Sequence, residues 1–422
     1  MAVKINNIDY RGFFFNGEAL TAIYLNGNKV YGGGEHVYDP LIDSKYFVVK
    51  ANSATNFSVY YSNSPTSTIY YKKNGEENWT TITGDTDVTL SQGDYLEMKG
   101  DVDNTTTAYV YFRTNADGNI DIGGCIMALN QNAEITSSSL NQLINTYTFY
   151  KLFEGCRGLV SAEHLTMASN TTTACYRDMF AGCTSLTTGP DLLATTLATG
   201  CYQQMFSGCT SLTTGPDLLA TTLANYCYTD MFAGCTSLTT APNLPASTLQ
   251  SNCYREMFKG CTSLTAAPVL SATTCTQSCY HYMFAGCTSL TTGPDLLATT
   301  LASSCYYGMF SGCTSLTSAP VLSATTLVTS CYREMFKNCT SLTTGPDLLA
   351  TTLQNYCYRD MFNYCTSLTS LRVGFSTISG SSPLAQWMTG VKTTGTLYCP
   401  SDASYSNTDA KLPNTWTLSK TL

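Results

Sequence analysis

Twenty cysteines are the residues of this chain whose type and spacing could carry chemistry, as metal ligands, redox centres or disulfides. Sixteen of them form two columns with a period of 26 residues, one opening each Cys-Tyr pair and one eight residues later: Cys175, Cys201, Cys227, Cys253, Cys279, Cys305, Cys331 and Cys357, then Cys183, Cys209, Cys235, Cys261, Cys287, Cys313, Cys339 and Cys365. Cysteines that share a stripe with leucine and methionine favour free, buried thiols. Disulfides and zinc are the alternatives, although the sequence lacks the paired, short-spaced ligands of structural zinc sites.

Acidic residues recur at one position of the repeat, where paired carboxylates could bind a cation. Asp191 and Asp217 lie one repeat apart, and Asp295 and Asp347 occupy the same position in later repeats. If the repeats stack, Asp191 and Asp217 could share a cation such as calcium, so all four are candidate ligand-binding residues. Valine fills this position twice, which favours the alternative that the aspartates are solvated turn residues.

Tyrosines on the variable side of the repeat could stack on sugar rings. Tyr282 and Tyr307 lie in adjacent repeats and are the candidates for ligand contact. The alternative is that tyrosine covers the surface of this protein in general, because the chain contains 29 of them.

The sequence offers no catalytic arrangement. Its three histidines, His36, His164 and His281, fall in different modules or repeats, and the repeat gives no reason for two of them to meet a serine or cysteine. An acid and base pair for glycoside cleavage is also missing. We therefore expect no enzyme, no cofactor and no metal centre.

A repeat that positions these residues at a fixed period indicates a solenoid. Leu197, Cys201, Met205 and Cys209 follow one another at intervals of four residues, which predicts one helix per repeat with this stripe buried. A short strand should follow each helix and pair with its equivalent one repeat away. The predicted fold class is an α/β solenoid with eight 26-residue coils, preceded by small all-β modules that include a β-sandwich.

Glycines mark the predicted helix ends. Gly234 can adopt the left-handed conformation that ends many helices, and the equivalent positions of the last two repeats hold Asn338 and Tyr364. Gly308 lies in the middle of the sixth predicted helix, where glycine should cost about 1 kcal/mol relative to alanine.

Five segments follow from these patterns. Two Asn-Gly dipeptides, at residues 16–17 and 26–27, predict hairpins at the start of the chain. Short alternating strands and frequent turns, such as Asn74-Gly75, then predict a sandwich. The predicted division is a hairpin anchor (1–34), an Ig-like β-sandwich (35–124), an N-terminal solenoid cap (125–170), the solenoid (171–370) and a C-terminal cap (371–422).

Composition restricts the partners. Only 12% of residues are charged and the formal net charge is −8, so the basic surface that drives nucleic-acid binding is lacking. The sequence contains no stretch of about 18 apolar residues, so it predicts no membrane span. The first residues do not resemble a secretory signal, so we expect a protein that stays where it is made or one whose start has been processed.

Two resemblances refine this reading. The blocks Met-Phe-x-Gly-Cys-Thr-Ser-Leu-Thr, from Met179 to Thr187 and in its copies, resemble the BspA-like leucine-rich repeats of bacterial surface proteins, including their 26-residue class. The resemblance spans roughly residues 149–370 and implies an α/β solenoid of leucine-rich-repeat type. It also implies surface attachment and host or matrix binding, with no catalytic residues to transfer. The run from Ala22 to Tyr31 resembles short N-terminal modules of phage virion appendage proteins.

The resemblances together predict a phage virion fibre, appendage or decoration protein that displays the solenoid for host attachment or as a spacer. Its expected partners are other virion proteins, through the N-terminal module, and a glycan or protein of the host surface. A homotrimer is expected by analogy with other fibres. The alternative is an adhesin on the bacterial cell surface.

Overall fold

The chain begins with short hairpins. The computed structural model describes six strands between residues 3 and 32, and then residues 39–63, 67–102, 104–105, 107–114, 118–131, 143 and 145–421. The six strands pair antiparallel, two by two: β1 (Val3–Ile5) with β2 (Ile8–Tyr10), β3 (Phe14–Phe15) with β4 (Glu18–Ala19), and β5 (Ala22–Leu25) with β6 (Asn28–Gly32). The strands on either side of both Asn-Gly dipeptides confirm the predicted hairpins, while the dipeptides themselves lie outside the described residues.

In the described residues from 39 to 131, a second, mainly β module contains two four-residue helices and eight strands. In chain order these are α1 (Pro40–Asp43), β7 (Phe47–Ala51), β8 (Thr55–Ser62), β9 (Ile69–Lys73), β10 (Thr80–Ile82), β11 (Thr86–Leu90), β12 (Tyr95–Gly100), β13 (Tyr109–Thr114), β14 (Ile120–Cys125) and α2 (Ala128–Gln131). One sheet has the order β11-β8-β13, and the other begins β10-β9-β12-β7-β14. Asn74 and Gly75 form the predicted turn after β9, both with positive φ, at +50° and +75°.

Aromatic side chains join the two sheets of this module. The ring of Phe47 in β7 lies 6.0 Å from that of Phe112 in β13, and Phe57 in β8 lies 5.3 Å from the same ring, between centroids. All three side chains are fully buried. Burial alternates along β11 and β13, whereas most residues of β7, β12 and β14 are buried, and apolar side chains of both sheets belong to one core.

The larger sheet continues into the repeats. Its last strand is β15 (Leu159–Thr166), which pairs parallel with β14. Ser161 of β15 in turn forms a parallel bridge with Thr188 of the first repeat. The all-β module therefore covers the end of the solenoid core through a continuous backbone ladder.

The helix predicted in each repeat is wrong, because this segment forms overlapping β-turns. We call it the turn wall: residues 198–209 in the second repeat and their equivalents in the others. Every second backbone N–H donates to the carbonyl three residues earlier, as from Met205 to Tyr202 at 3.2 Å, which closes a β-turn. In the described part of the chain, no helix is long and apolar enough to cross a membrane.

Backbone φ explains the four-residue spacing of the buried stripe. The values are +59°, +55° and +73° at Gly200, Gln204 and Gly208. Each of these residues is the third of a turn, where type II turns have positive φ. Turns that recur every four residues keep every fourth side chain on the same side. A helix of 3.6 residues per turn would instead carry such a stripe around its axis.

The remaining N–H groups of the turn wall bind the neighbouring repeat. The N–H of Phe206 donates to the carbonyl of Met231 at 2.9 Å. The other even-numbered donors between Gly200 and Gly208 make the same bond to the residue 25 positions ahead. Backbone donors thus alternate between closing a turn and joining two repeats, which leaves them satisfied inside the stack.

Aromatic rings stack in two columns along the core. One runs from Phe149 through the tyrosine of every Cys-Tyr pair to Tyr358, with centroids 5.6–6.1 Å apart. The other runs from Phe153 to Phe362 at 5.5–5.8 Å and ends against Trp387. Each aromatic pair adds about 0.5–1.5 kcal/mol beyond the area that it buries, so stability is shared between neighbouring repeats.

The thiols belong to the same core. All twenty cysteines are free and buried, which confirms the favoured interpretation of the cysteine columns. In the second column each thiol donates to a phenylalanine carbonyl of the preceding repeat, as from Cys209 Sγ to Phe180 O at 3.1 Å. The same oxygen accepts the N–H of Cys183 at 3.0 Å, so the sulfur column ties one row of turns to the next.

The opposite side of each repeat forms the predicted parallel pairing. We call it the strand wall: residues 213–222 in the second repeat and their equivalents. Short parallel bridges join residues 26 positions apart, such as Leu192 with Leu218 and Thr214 with Thr240. Among the described residues, continuous strands on this side lie at its two ends, as β15 before the first repeat and again from residue 344 onward.

The parallel ladder extends beyond the position where the sequence repeat fades. Four strands, β16 (Thr344–Leu348), β17 (Ser370–Val373), β18 (Thr396–Cys399) and β19 (Thr417–Lys420), form one parallel sheet. Trp387 extends the phenylalanine column, and its Nε1 donates to the carbonyl of Ala410 at 2.7 Å. Residue 370 thus marks a change in sequence pattern and not the end of the ladder.

Candidate binding surfaces

The strand wall exposes two side chains per repeat on either side of a buried leucine. Leu192 is only 3% exposed, whereas its neighbour Leu193 is 45% exposed and Asp191 is exposed as well. This alternation is that of an extended backbone, whose successive side chains point to opposite faces. The outward positions are therefore those of Asp191 and Leu193 and their equivalents.

Almost every repeat shows one aliphatic side chain at these two positions. Where the first position is aspartate the second is leucine, where the first is valine the second is serine, and one repeat has Asn243 with Pro245. The exposed aliphatic residues form a row that we call the aliphatic stripe: Leu193, Leu219, Val269, Leu297, Val321 and Leu349. Val269 and Val321 are the most exposed of these residues, at 74% and 71%.

The four candidate aspartates flank this stripe. Asp191 and Asp217 lie in neighbouring repeats, next to the bridge between Leu192 and Leu218. Asp347 is 52% exposed and pairs with Arg372 at 3.4 Å between Oδ2 and Nη1. In the described residues, no group of three histidine, cysteine or acidic side chains is arranged to hold a metal ion. The carboxylates make this face of the solenoid acidic.

Tyr282 and Tyr307 meet on the turn wall, in a different part of the repeat from the aspartates. Their ring centroids lie 5.2 Å apart. Both hydroxyls donate to the carboxylate of Glu334, at 3.0 Å from Tyr282 and 2.8 Å from Tyr307. The structure therefore brings the two candidate tyrosines together around a carboxylate from a third repeat, which sequence reasoning missed.

Charges around this cluster hold it in place. The guanidinium of Arg333 lies 4.9 Å from the ring centroid of Tyr307, and Lys337 Nζ lies 3.4 Å from Glu334 Oε2. Burial opposes the charge of Glu334, but hydrogen bonds from Tyr307 and Tyr282 and the charge of Lys337 keep its pKa below the usual value. The tyrosine hydroxyls are thus occupied by an internal contact.

A histidine completes the cluster. The ring of His281 lies 4.7 Å from that of Tyr282 and 4.8 Å from that of Tyr307, between centroids. Burial and the nearby charge of Arg255 lower the pKa of His281 to about 4, so the imidazole is neutral at pH 7. The cluster is an aromatic platform and has no base positioned against a nucleophile.

A cavity of about 220 Å³ lies where the all-β module meets the first repeat. Its lining includes Ile42, Glu163, His164, Asp191 and Leu193. The N-terminal end of the aliphatic stripe therefore opens into a recess lined by α1, β15 and the first repeat. Sequence reasoning had no signal for it, because these residues come from separate segments.

The repeats match one described family. Residues 130–265, 203–343 and 254–382 match the BspA type leucine rich repeat region, in six copies. A search among curated proteins found no match to the chain. Together the matched residues cover more than half of the sequence and include both walls of the solenoid. The chain belongs to the BspA-type leucine-rich repeat family, which indicates a repeat protein of the surface or adhesion type.

Proposed function

We propose that the protein is an attachment rod that uses the aliphatic stripe of its strand wall to bind a protein on a host surface. The observation that carries this proposal is the set of exposed aliphatic side chains between Leu193 and Leu349, present in six of seven consecutive repeats because aspartate-leucine and valine-serine pairs replace each other. Exposed apolar side chains with a polar rim are typical of interaction sites.

Side-chain chemistry favours a protein partner. The stripe contains leucine and valine, which pack against apolar side chains, whereas sugar rings bind best to flat aromatic faces. The flanking aspartates, including Asp191 and Asp217, would attract a basic surface and suppress acidic ones. A peptide or protein face with apolar and basic side chains fits both features.

The proposed carrier of the rod is a phage virion, with a bacterial cell surface as the alternative. The hairpins formed by β1 to β6 and the resemblance of residues 22–31 to appendage modules support the virion. The family of the repeats supports the cell surface. In either setting we propose a non-catalytic protein, which on a virion would be a fibre, appendage or decoration protein that binds other virion proteins through its first module and is a homotrimer.

We further propose that the two sheets of residues 47–125 make a β-sandwich and that the eight sequence repeats each close one coil. The contact of Phe47 and Phe57 with Phe112 supports the sandwich. The bonds between turn walls and the bridges between strand walls support the coils. This architecture would hold the stripe straight and at a distance from the first module.

Replacing the four leucines of the stripe by serine tests the binding proposal. Serine already occupies this position in two repeats, at Ser271 and Ser323, so the fold should persist. We expect the variant (Leu193→Ser, Leu219→Ser, Leu297→Ser, Leu349→Ser) to lose at least tenfold in binding to whole host cells, measured by flow cytometry. Unchanged binding would contradict the proposal.

The matched control keeps the aliphatic count and moves its position. In the same four repeats, each aspartate-leucine pair is changed to the valine-serine pair that the chain itself uses, for example Asp191→Val with Leu193→Ser. This variant should bind far better than the serine variant. If the double variant Tyr282→Ala, Tyr307→Ala loses binding while the serine variant keeps it, the binding site is instead the aromatic cluster and the partner is a glycan.

Localisation separates the two carriers. Antibodies against the solenoid should label purified virions and should detect the protein in virion mass spectra. Detection only in the bacterial envelope fraction would overturn the virion proposal and leave the surface adhesin.

A further inference from the structure

Cys275 departs from the pattern of the repeats. The position four residues before the Cys-Tyr pair holds leucine in every repeat from the second to the eighth except the fifth, where it holds Cys275. The side chain takes the place of the leucine in the core and is 4% exposed. The fifth repeat therefore has three thiols, those of Cys275, Cys279 and Cys287, where each of the other repeats has two.

Two thiols and a hydroxyl surround Cys275. Cys279 lies in the turn that follows, closed by its N–H bond to the carbonyl of Thr276 at 3.3 Å, and Cys305 occupies the same position as Cys279 in the next repeat. The backbone N–H of Cys275 donates to the carbonyl of Thr300 at 2.8 Å, which holds the two repeats together at this point. The spacing of four residues places Cys275 and Cys279 on the same buried side, and the bond from the N–H of Tyr280 to the carbonyl of Cys305 at 3.0 Å stacks Cys305 on Cys279.

The electrostatics of this thiol differ from those of the others. Burial raises the pKa of the other nineteen cysteines, including Cys279 and Cys305. The pKa of Cys275 is lowered, because Cys279, Cys305 and Tyr306 donate hydrogen bonds to its sulfur. A thiolate is the nucleophile in disulfide exchange, so this sulfur is the one suited to react.

We propose that the cluster of Cys275, Cys279 and Cys305 is a redox modification site, in which a low-molecular-weight disulfide oxidises Cys275 and one neighbouring thiol to an intramolecular disulfide. Cys275 is the point of entry, because Cys279 and Cys305 are completely buried while Cys275 retains a small exposed area. The product would fix the core next to the aromatic cluster of Tyr282 and Tyr307.

The reaction balances in two exchanges. The Cys275 thiolate attacks one sulfur of the small disulfide, forms a mixed disulfide and releases one small thiolate, which takes up a proton. The thiol of Cys279 or Cys305 then gives up its proton and attacks the Cys275 sulfur, which expels the second small thiol. Two protein thiols are oxidised, and one small disulfide is reduced to two thiols.

Counting thiols after oxidation tests this site. The reduced, folded protein is incubated with oxidised glutathione, denatured in acid, alkylated with N-ethylmaleimide and weighed as an intact chain. Because the chain has twenty cysteines, the oxidised protein should carry two adducts fewer than twenty, and peptic mapping should place Cys275 in the bridge. Twenty adducts, or a bridge without Cys275, would overturn the proposal.

The chain supplies its own matched variants. Cys275→Leu restores the residue of the sister repeats, so it should fold with the wild-type melting temperature and keep all its remaining thiols reduced under the same treatment. Adding Leu249→Cys to that variant rebuilds the cluster one repeat earlier, beside Cys253 and Cys279, and should restore the loss of two adducts. Oxidation in Cys275→Leu, or none in the rebuilt variant, would contradict the geometry on which the site depends.

Discussion

Carboxylates on the turn wall are more deeply buried than those on the strand wall. Asp178 and Asp230 occupy the same position of their repeats, both with positive φ, at +56° and +54°. Burial raises the pKa of each to about 6. The nearby charge of Arg177 partly lowers the pKa of Asp178, whereas that of Glu256 raises the pKa of Asp230 further. The folded protein therefore holds protons here that the unfolded chain releases.

Asp230→Asn should weaken the dependence of stability on pH. A carboxyl whose pKa is raised on folding, from 3.8 to about 6 for Asp230, contributes stability that is complete below the lower value and is lost as pH rises through the higher one. The melting temperature of the wild type should thus fall, relative to that of Asp230→Asn, between about pH 4 and pH 7. Asp217→Asn makes the same change of side chain at an exposed position of the strand wall and is the matched control. A difference that stays constant with pH would contradict this account.

At the scale of single residues, the sequence predicted which side chains are buried, but it did not predict which side chains contact one another. The cysteine columns share their stripe with leucine and methionine, which was enough to place the thiols in the core. Glu334 could not be predicted as the partner of Tyr282, because it lies 52 residues away and only the stacking of repeats brings it near. Cys275 was visible as an isolated cysteine, but its neighbour Cys305 comes from another repeat.

Glycine has a packing role within the turn wall. Gly308 has a φ of +60°, and a Cβ built on it would lie 2.2 Å from Cε1 of Tyr282. The expected weak point in a helix is therefore wrong, because the segment is a turn and the ring of Tyr282 fills the space above the glycine. Equivalent positions in other repeats hold larger residues where no ring covers them, such as Gln204 and Asp230.

Gly308→Ala should destabilise the protein by about 1–3 kcal/mol, because the added methyl group overlaps the ring and meets an unfavourable φ. The same substitution in a Tyr282→Ala background should cost much less. Chemical denaturation of the four proteins gives the coupling energy between the two sites. Equal costs in both backgrounds would show that the ring does not cause the loss.

The error in the predicted elements has a physical cause. A spacing of four residues is close to one helical turn, so a short stripe of leucine, cysteine and methionine suits a helix as well as a series of turns. Two signals distinguish the turns from a helix. The spacing stays at four residues over three intervals, and glycines recur eight residues apart, at Gly200 and Gly208. Hairpins and parallel register were predictable because Asn-Gly turns and a fixed period each permit few alternatives.

Removing one whole repeat should leave a shorter folded protein. Deletion of residues 213–238 takes out 26 residues and preserves the Ser-Leu-Thr-Thr sequence at the junction. Phe206 would then stack on Phe258 in place of Phe232, and the rod should shorten by about the 5.7 Å between the rings of Phe206 and Phe232.

Small-angle scattering and thermal melts check this expectation. The variant should melt cooperatively, because each repeat contacts mainly its neighbours. Deletion of residues 213–225, half a period, should instead place turn wall against strand wall and abolish cooperative melting. Failure of the full-period deletion to fold would show that the repeats are not interchangeable.

The larger sheet crosses the predicted boundary at residue 124, and a parallel bridge from its last strand crosses the one at residue 170. Pairing of β14 with β15 and the bridge from Ser161 to Thr188 make the all-β module and the first repeat one backbone ladder. Paired backbone strands at this junction oppose rotation of the module against the first repeat. A force on the C-terminal repeats would therefore be transmitted to the all-β module as torque. The direction in which the repeats point from this module is then set by the fold and not by free rotation about a linker.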